Sequence, residues 1–194
     1  MSLYTDIRDG VFVFTKRPTL TAETDLAIRQ ALRKAHRAGS FPRDLVTVAN
    51  IPVDTTQTVQ SIALSSYCPR MRQLYVVKPT GLDVYYKDDD VRSLLDLDGY
   101  PKTDIYWQIG DTLSIRPANS SPTVDIIYYS YPDYSDLTTL SDWIAMHHQD
   151  LIVLWATMAV CAIINETEVS ERVSKLVEEA YEDLMEEAVE IIGR

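Results

Sequence analysis

The feature that most restricts what this chain can fold into is a change of hydrophobic period that happens twice. Between Ser2 and Phe14, Leu3, Ile7, Val11 and Phe14 recur at steps of four and three, which places them on one face of a helix. Gly10 weakens that helix, and Pro18 bars its continuation because proline has no N–H to donate. A second helix is expected to open at Thr21 as N-cap, with Glu23 and Asp25 in its first turn, and to stop at Gly39. Leu26, Ala27, Ala31, Leu32 and Ala35 make its apolar stripe, and Arg29, Arg33, Lys34 and Arg37 occupy the other face. That basic face reads either as solvated surface matched to the helix dipole or as a docking patch for an acidic neighbour.

From Phe41 the period shortens. Leu45–Ile51, Thr58–Leu64, Arg72–Val77, Leu82–Tyr86, Ile105–Ile109, Thr112–Arg116 and Val124–Tyr129 are short β-type runs, the earlier ones parted by Pro52, Pro69 and Pro79-Thr80-Gly81. Gly110-Asp111 between two of them is a turn of hairpin length. Val91–Leu97 is the exception, expected as a short helix. Strands in this density, mostly without helices between them, predict an antiparallel sheet pair and not parallel βαβ units.

Helical spacing returns after Pro132. Leu140, Trp143, Ile144, Leu151, Leu154 and Trp155 predict one strongly apolar helix from near Ser141-Asp142 to near Asn165, and a helix apolar on nearly all sides belongs at the centre of a bundle. A last helix is expected over Glu166–Ile192, with Val169, Val173, Leu176, Val177, Ala180, Leu184, Ala188 and Ile191 as its stripe and glutamates on the remaining face. The predicted fold is therefore α+β. Residues 1–40 and 138–194 form a helical bundle, and 41–137 form an inserted antiparallel β-sandwich-like domain.

A chain of 194 residues can bury a core without disulfide help. Cys68 and Cys161 lie far apart, which argues against a disulfide framework and favours a reducing compartment. Met1–Val13 lacks the pattern of a secretory leader, and no run reaches the roughly 18 apolar residues that would span a bilayer, so no membrane partner is expected. The net charge of -11 is uneven: residues 1–80 hold 11 Lys and Arg against 6 Asp and Glu, and residues 81–194 hold 7 against 23. An acidic protein gains nothing from counterion release on duplex DNA, which disfavours nonspecific DNA binding as its main task.

No catalytic signature is present, and six glycines are too few for most phosphate-cradling loops, so neither an enzymatic role nor a cofactor is expected. His147 and His148 are adjacent, and neighbours on a helix point about 100° apart, which prevents joint chelation. Asp88-Asp89-Asp90 with Asp96 and Asp98 invites a calcium reading. Counted from Asp88, however, the sixth residue is Ser93 and the twelfth Gly99, where the EF-hand needs Gly and Glu. A solvated loop with Asp90 capping a helix is the plainer account. Cys68 before Pro69 has no nearby base, and a structural role fits it better.

Twelve tyrosines stand against three phenylalanines, with Tyr85-Tyr86 and Tyr128-Tyr129 in β-type segments. Half-buried rings with outward hydroxyls are expected there, a composition that suits contact with other subunits.

The order of segments resembles the head-to-tail adaptor, or connector, proteins of tailed bacteriophages, most closely the family that includes tail tubular protein A of short-tailed podophages. The resemblance is carried by Ala27-Ile28-Arg29-Gln30-Ala31 with Phe41-Pro42-Arg43-Asp44-Leu45, and by Ile109-Gly110-Asp111-Thr112-Leu113-Ser114-Ile115-Arg116-Pro117. Tyr129-Ser130-Tyr131-Pro132 and Asp142-Trp143-Ile144 leading to Asp150-Leu151-Ile152-Val153 complete it. It implies a virion structural protein of the neck or tail, made in the host cytoplasm. Copies would form a ring, typically of twelve, that joins the portal protein to the tail nozzle or other tail proteins. Genomic DNA would pass through without sequence-specific binding.

Carried onto this chain, the resemblance implies portal contacts at Leu184, Ile191, Ile192 and Arg194, and tail contacts at Tyr85, Tyr86, Tyr128 and Tyr129. Glu178, Glu182 and Glu186 would line a channel that repels phosphates, or meet Arg29, Arg33 and Arg37 of a neighbouring copy; the plain alternative is that they are simply a solvated helix surface. The rival reading is an oligomeric binding module whose tyrosine-rich β-domain recognises carbohydrate or protein.

Overall fold

The computed structural model describes residues 2–54, 56, 59–79, 86–87, 105–116 and 123–192; at 79, 86, 87 and 187–192 it describes the backbone alone. The chain is α+β and divides into two compact units, residues 1–42 with 132–194 and residues 43–131. The boundary on the C-terminal side falls earlier than the 137 expected from the sequence, because Tyr134 and Leu137 bury their side chains in the helical core.

In the helical unit, α1 spans Leu3–Thr15 and α2 spans Thr21–Ala38. Ser2 caps α1 through its side-chain oxygen, and Lys16 ends it in the left-handed conformation. The buried face of α1 is Tyr4, Ile7, Val11 and Thr15: Ile7 and Val11 lie inside as expected, whereas Leu3 is only partly covered and Phe14 is at the surface. Gly10 suits this helix because a Cβ there would lie 3.1 Å from both methyls of Val153. Thr21 is the first residue inside α2 and not its cap; Leu20 holds the cap position without a side-chain hydrogen bond. Leu26, expected inside, is 51% exposed, and Ile28 takes its place in the core.

The single long apolar helix expected after Pro132 is two helices, α4 over Trp143–His147 and α5 over Gln149–Ile164. His148, at φ -125° and ψ 45°, ends one and starts the other, so the break comes from a single non-helical residue. Helix α5 is buried from Leu151 to Thr157 and again at Val160 and Cys161, with Leu151, Ile152, Ala156 and Val160 fully covered, and α1, α2 and the last helix all pack on it. Asn165 closes α5 in the left-handed region, after which α6 runs over Thr167–Ile192. Among the described residues no helix is long and apolar enough to cross a membrane.

The second unit holds seven described strands in two sheets. β1 (Leu45–Pro52), β7 (Thr123–Ser130) and β3 (Met71–Pro79) form an antiparallel sheet with β7 at its centre. β2 (Gln60–Ala63), β6 (Thr112–Arg116), β5 (Ile105–Ile109) and β4 (Tyr86–Lys87) form the other. Pairing is antiparallel except between β4 and β5, a short parallel pair that departs from the expected all-antiparallel arrangement. The β5–β6 hairpin turns at Gly110, whose φ of +58° favours glycine. Asp111 beside it accepts hydrogen bonds from the backbone N–H and hydroxyl of Ser65, which holds the hairpin to α3 (Leu64–Tyr67). Asn50, at φ +60°, breaks the register of β1 and donates its N–H to Asp125 at 3.0 Å. Both sheets contribute to one apolar cluster: Ile51, Val77, Val124, Ile126 and Tyr128 from the first, Ile62, Tyr106, Leu113 and Ile115 from the second.

Candidate assembly surface

The most concentrated polar chemistry in the helical unit lies inside it. Asp142 begins α4 by accepting the N–H of Ala145 on Oδ1 at 3.0 Å, the usual service of an N-cap aspartate. Its Oδ2 accepts from the Tyr134 hydroxyl at 2.9 Å and pairs with His36 Nε2 at 2.7 Å. The side chains of His36 and Asp142 are fully covered. Burial pushes the Asp142 carboxyl upward, but the hydrogen bond and charge of His36, with the bonds from Ala145 and Tyr134, hold it below its ordinary value. Trp143 sets its ring edge-on to His36 and to Phe41, with centroids 6.1 and 5.1 Å away. This network joins α2 to α4 and to the segment before α4. Sequence spacing gave no signal for it, since His36 and Asp142 are 106 positions apart; Asp142 was legible only as a helix start.

The surface chemistry belongs to α6. Its residues Val173 and Leu184 are buried, Val177, Ala180 and Tyr181 only partly, and Leu176 is 45% exposed. The helix rests on α5 along one edge and leaves a groove on either side. Toward α2 lies a cavity of about 450 Å³ walled by Ala38, Trp155, Val177 and Tyr181 and edged by Lys34, Arg37 and Glu178. The Lys34 ammonium sits 4.3 Å from the centre of the Trp155 ring, a cation–π contact that shields that wall.

Toward α1 lie two adjoining cavities of about 310 Å³ each, which share Phe14 and Leu176. The first is bounded by Val13, Val169 and Val173 with the cations Lys16 and Arg172. The second is bounded by Val153, Leu154 and Ala180 with the carboxylates Asp150, Glu179 and Asp183. Together they form one apolar furrow, basic at the start of α6 and acidic two turns later.

The residues singled out in the sequence fall in different places. Arg33, Arg37, Glu178, Glu182 and Glu186 are exposed, and Arg37 and Glu178 border the same cavity. Arg29 does not belong with them: its Nε donates to the Tyr134 carbonyl at 3.0 Å, so it ties α2 to its own unit. Leu184, expected at the portal, is a core residue with no exposed surface. Ile191 and Ile192 lie in the last turn of α6, where only the backbone is described, and Arg194 lies outside the described residues.

Among the tyrosines, Tyr128 and Tyr129 are 5% and 7% exposed, which withdraws both from the outer contacts expected of them. The ring of Tyr128 is part of the cluster drawn from both sheets, and that of Tyr129 is covered by Tyr75 and by the Arg72 guanidinium 5.2 Å from its centre. The exposed rings of that unit are instead Tyr67 and Tyr75, among the described residues. Tyr86 is described by backbone only, and Tyr85, the Asp88–Asp90 run, Asp96, Asp98 and the expected short helix 91–97 lie outside the described residues. Cys68 is buried, and burial first, then the charge of Asp111, pushes its thiol up to about 11, away from nucleophilic use. His147 is exposed, and His148 turns its ring edge toward Trp143. Compared with models of known protein families and with curated proteins, the chain matches none.

Proposed function

We propose that this chain is a structural subunit of a tailed-phage virion, a head-to-tail adaptor whose copies form a ring between the portal protein and the tail and leave a passage for DNA. The observation that carries the proposal is the half-covered last helix. Helix α6 keeps an apolar edge at the surface around Leu176, with Arg172 at its start and the carboxylates Glu179 and Asp183 farther along. A long amphipathic helix left in that state suits a subunit whose neighbours complete its packing. The charge distribution supports the same reading. Glu178, Glu182 and Glu186 stand exposed on α6, and carboxylates facing a channel repel phosphates and let a genome slide.

The test is to mix the chain with portal rings and follow co-sedimentation, then locate it by electron microscopy of assembled particles. A ring of this chain beneath the portal is expected. A chain that never sediments with portals or virions sinks the adaptor reading. Removal of Ile191–Arg194 should reduce portal attachment, with circular dichroism and thermal melting used to verify that the shortened chain is folded.

A further inference from the structure

We infer that the furrow between α1 and α6 is the seat for α2 of a second copy of this chain, laid parallel to α6. The outer face of α2 presents Glu23, Leu26, Gln30 and Arg33 at steps of three and four, so they lie in one row. Leu26 is the apolar member of that row and is half exposed. The furrow presents Arg172, Leu176, Glu179 and Asp183 at steps of four and three, with Lys16 beside the basic end and Asp150 beside the acidic end.

The two rows match in length and sign. At 1.5 Å per residue, Glu23 to Arg33 rises about 15 Å and Arg172 to Asp183 about 16 Å. Laid parallel, Glu23 meets Lys16 and Arg172, Leu26 meets Phe14 and Leu176, and Arg33 meets Glu179 and Asp183. Laid antiparallel, Glu23 would face carboxylates and Arg33 would face cations, so the charges fix the direction. Val13, 74% exposed, and Phe14 supply apolar surface for the incoming helix to cover. Because the row and the furrow are different surfaces, each copy in an assembly still offers one of them, and the contact extends to a ring or a filament.

The inference rests on that part of the assembly reading which has copies associate, and it names the faces they use. The test uses the full chain with charge exchange and cross-linking. Arg33→Glu and Asp183→Arg are each expected to weaken self-association on the order of tenfold in sedimentation velocity, and the double variant to recover it. Circular dichroism and thermal melting verify that each variant is folded. Leu26→Cys with Leu176→Cys, oxidised at high protein concentration, is expected to give covalent multimers, whereas either single variant gives none beyond a dimer. A wild-type chain that stays monomeric at every concentration, folded single variants that associate normally, or a folded double variant that does not recover would each overturn the inference. Portal binding, measured in parallel, separates the two proposals: multimers without portal attachment sink the adaptor role alone, and attachment without cross-linking sinks this interface alone.

Discussion

Helices α5 and α6 are neighbours in sequence and pack on each other, yet they use apolar residues in opposite ways. In α5, Leu151, Ile152, Ala156 and Val160 are covered on all sides by α1, α2 and α6. In α6 the apolar stripe is covered along one edge and open along the other. A side chain in the first helix therefore answers to the stability of the unit. One on the open edge of the second answers to whatever the surface meets.

The sharpest way to break this contrast is to truncate on both sides of it. Trp155→Ala, which empties a buried site beneath Lys34 and beside Tyr181, should cost about 3–5 kcal/mol in urea unfolding. Asp142→Ala should cost about 3 kcal/mol, because it removes the cap of α4 and leaves His36 and Tyr134 without their shared carboxylate. Its effect depends on pH. Since the folded state holds the Asp142 carboxyl below its ordinary value, that stabilisation is complete above roughly pH 4 and fades as the pH falls through the lowered value. Wild type and variant should thus converge in acid, and a gap that persisted there would assign the loss to packing.

Within α6 itself the contrast narrows to eight positions. Leu184→Ala should cost about 2–3 kcal/mol, as expected of a fully covered leucine. Leu176→Ala should cost under about 1 kcal/mol and show its main effect in self-association. Equal losses of stability at the two sites would mean that the open edge belongs to the core. The smallest effect is expected for Glu182→Gln, within about 0.5 kcal/mol of wild type, because that carboxylate is exposed.

The periods of three to four and of two placed the helices at both ends and most of the strands between them. The β5–β6 hairpin was legible almost to the residue, because Gly110-Asp111 is a turn signal with a physical cause. Other features had no local signal. The polar run His147-His148-Gln149-Asp150 interrupts the apolar stripe at the break, but Ile144 and Leu151 stay in helical step across it, so the spacing reads as one helix where two are present. Leu26 and Ile28 are both apolar, and only the direction in which α2 faces α5 decides which is buried. Tyr128 and Tyr129 point to opposite faces of β7, so alternation predicts one exposed ring. Tyr75 and Arg72, more than fifty positions earlier, cover the outer one. For the candidate surface, the basic and acidic faces were visible as composition. The furrow was not, because it depends on Phe14 and Leu176 from opposite ends of the chain.

The helical unit is assembled from both ends of the chain, and the order in which a ribosome delivers it matters. Helices α1 and α2 emerge first but cannot bury their stripes until α5 arrives, and residues 43–131 lie between. The strand unit is complete in itself at Tyr131, so it can fold while the first two helices wait with apolar faces in water. The waiting helices therefore define the stage of synthesis at which the chain is most prone to premature association.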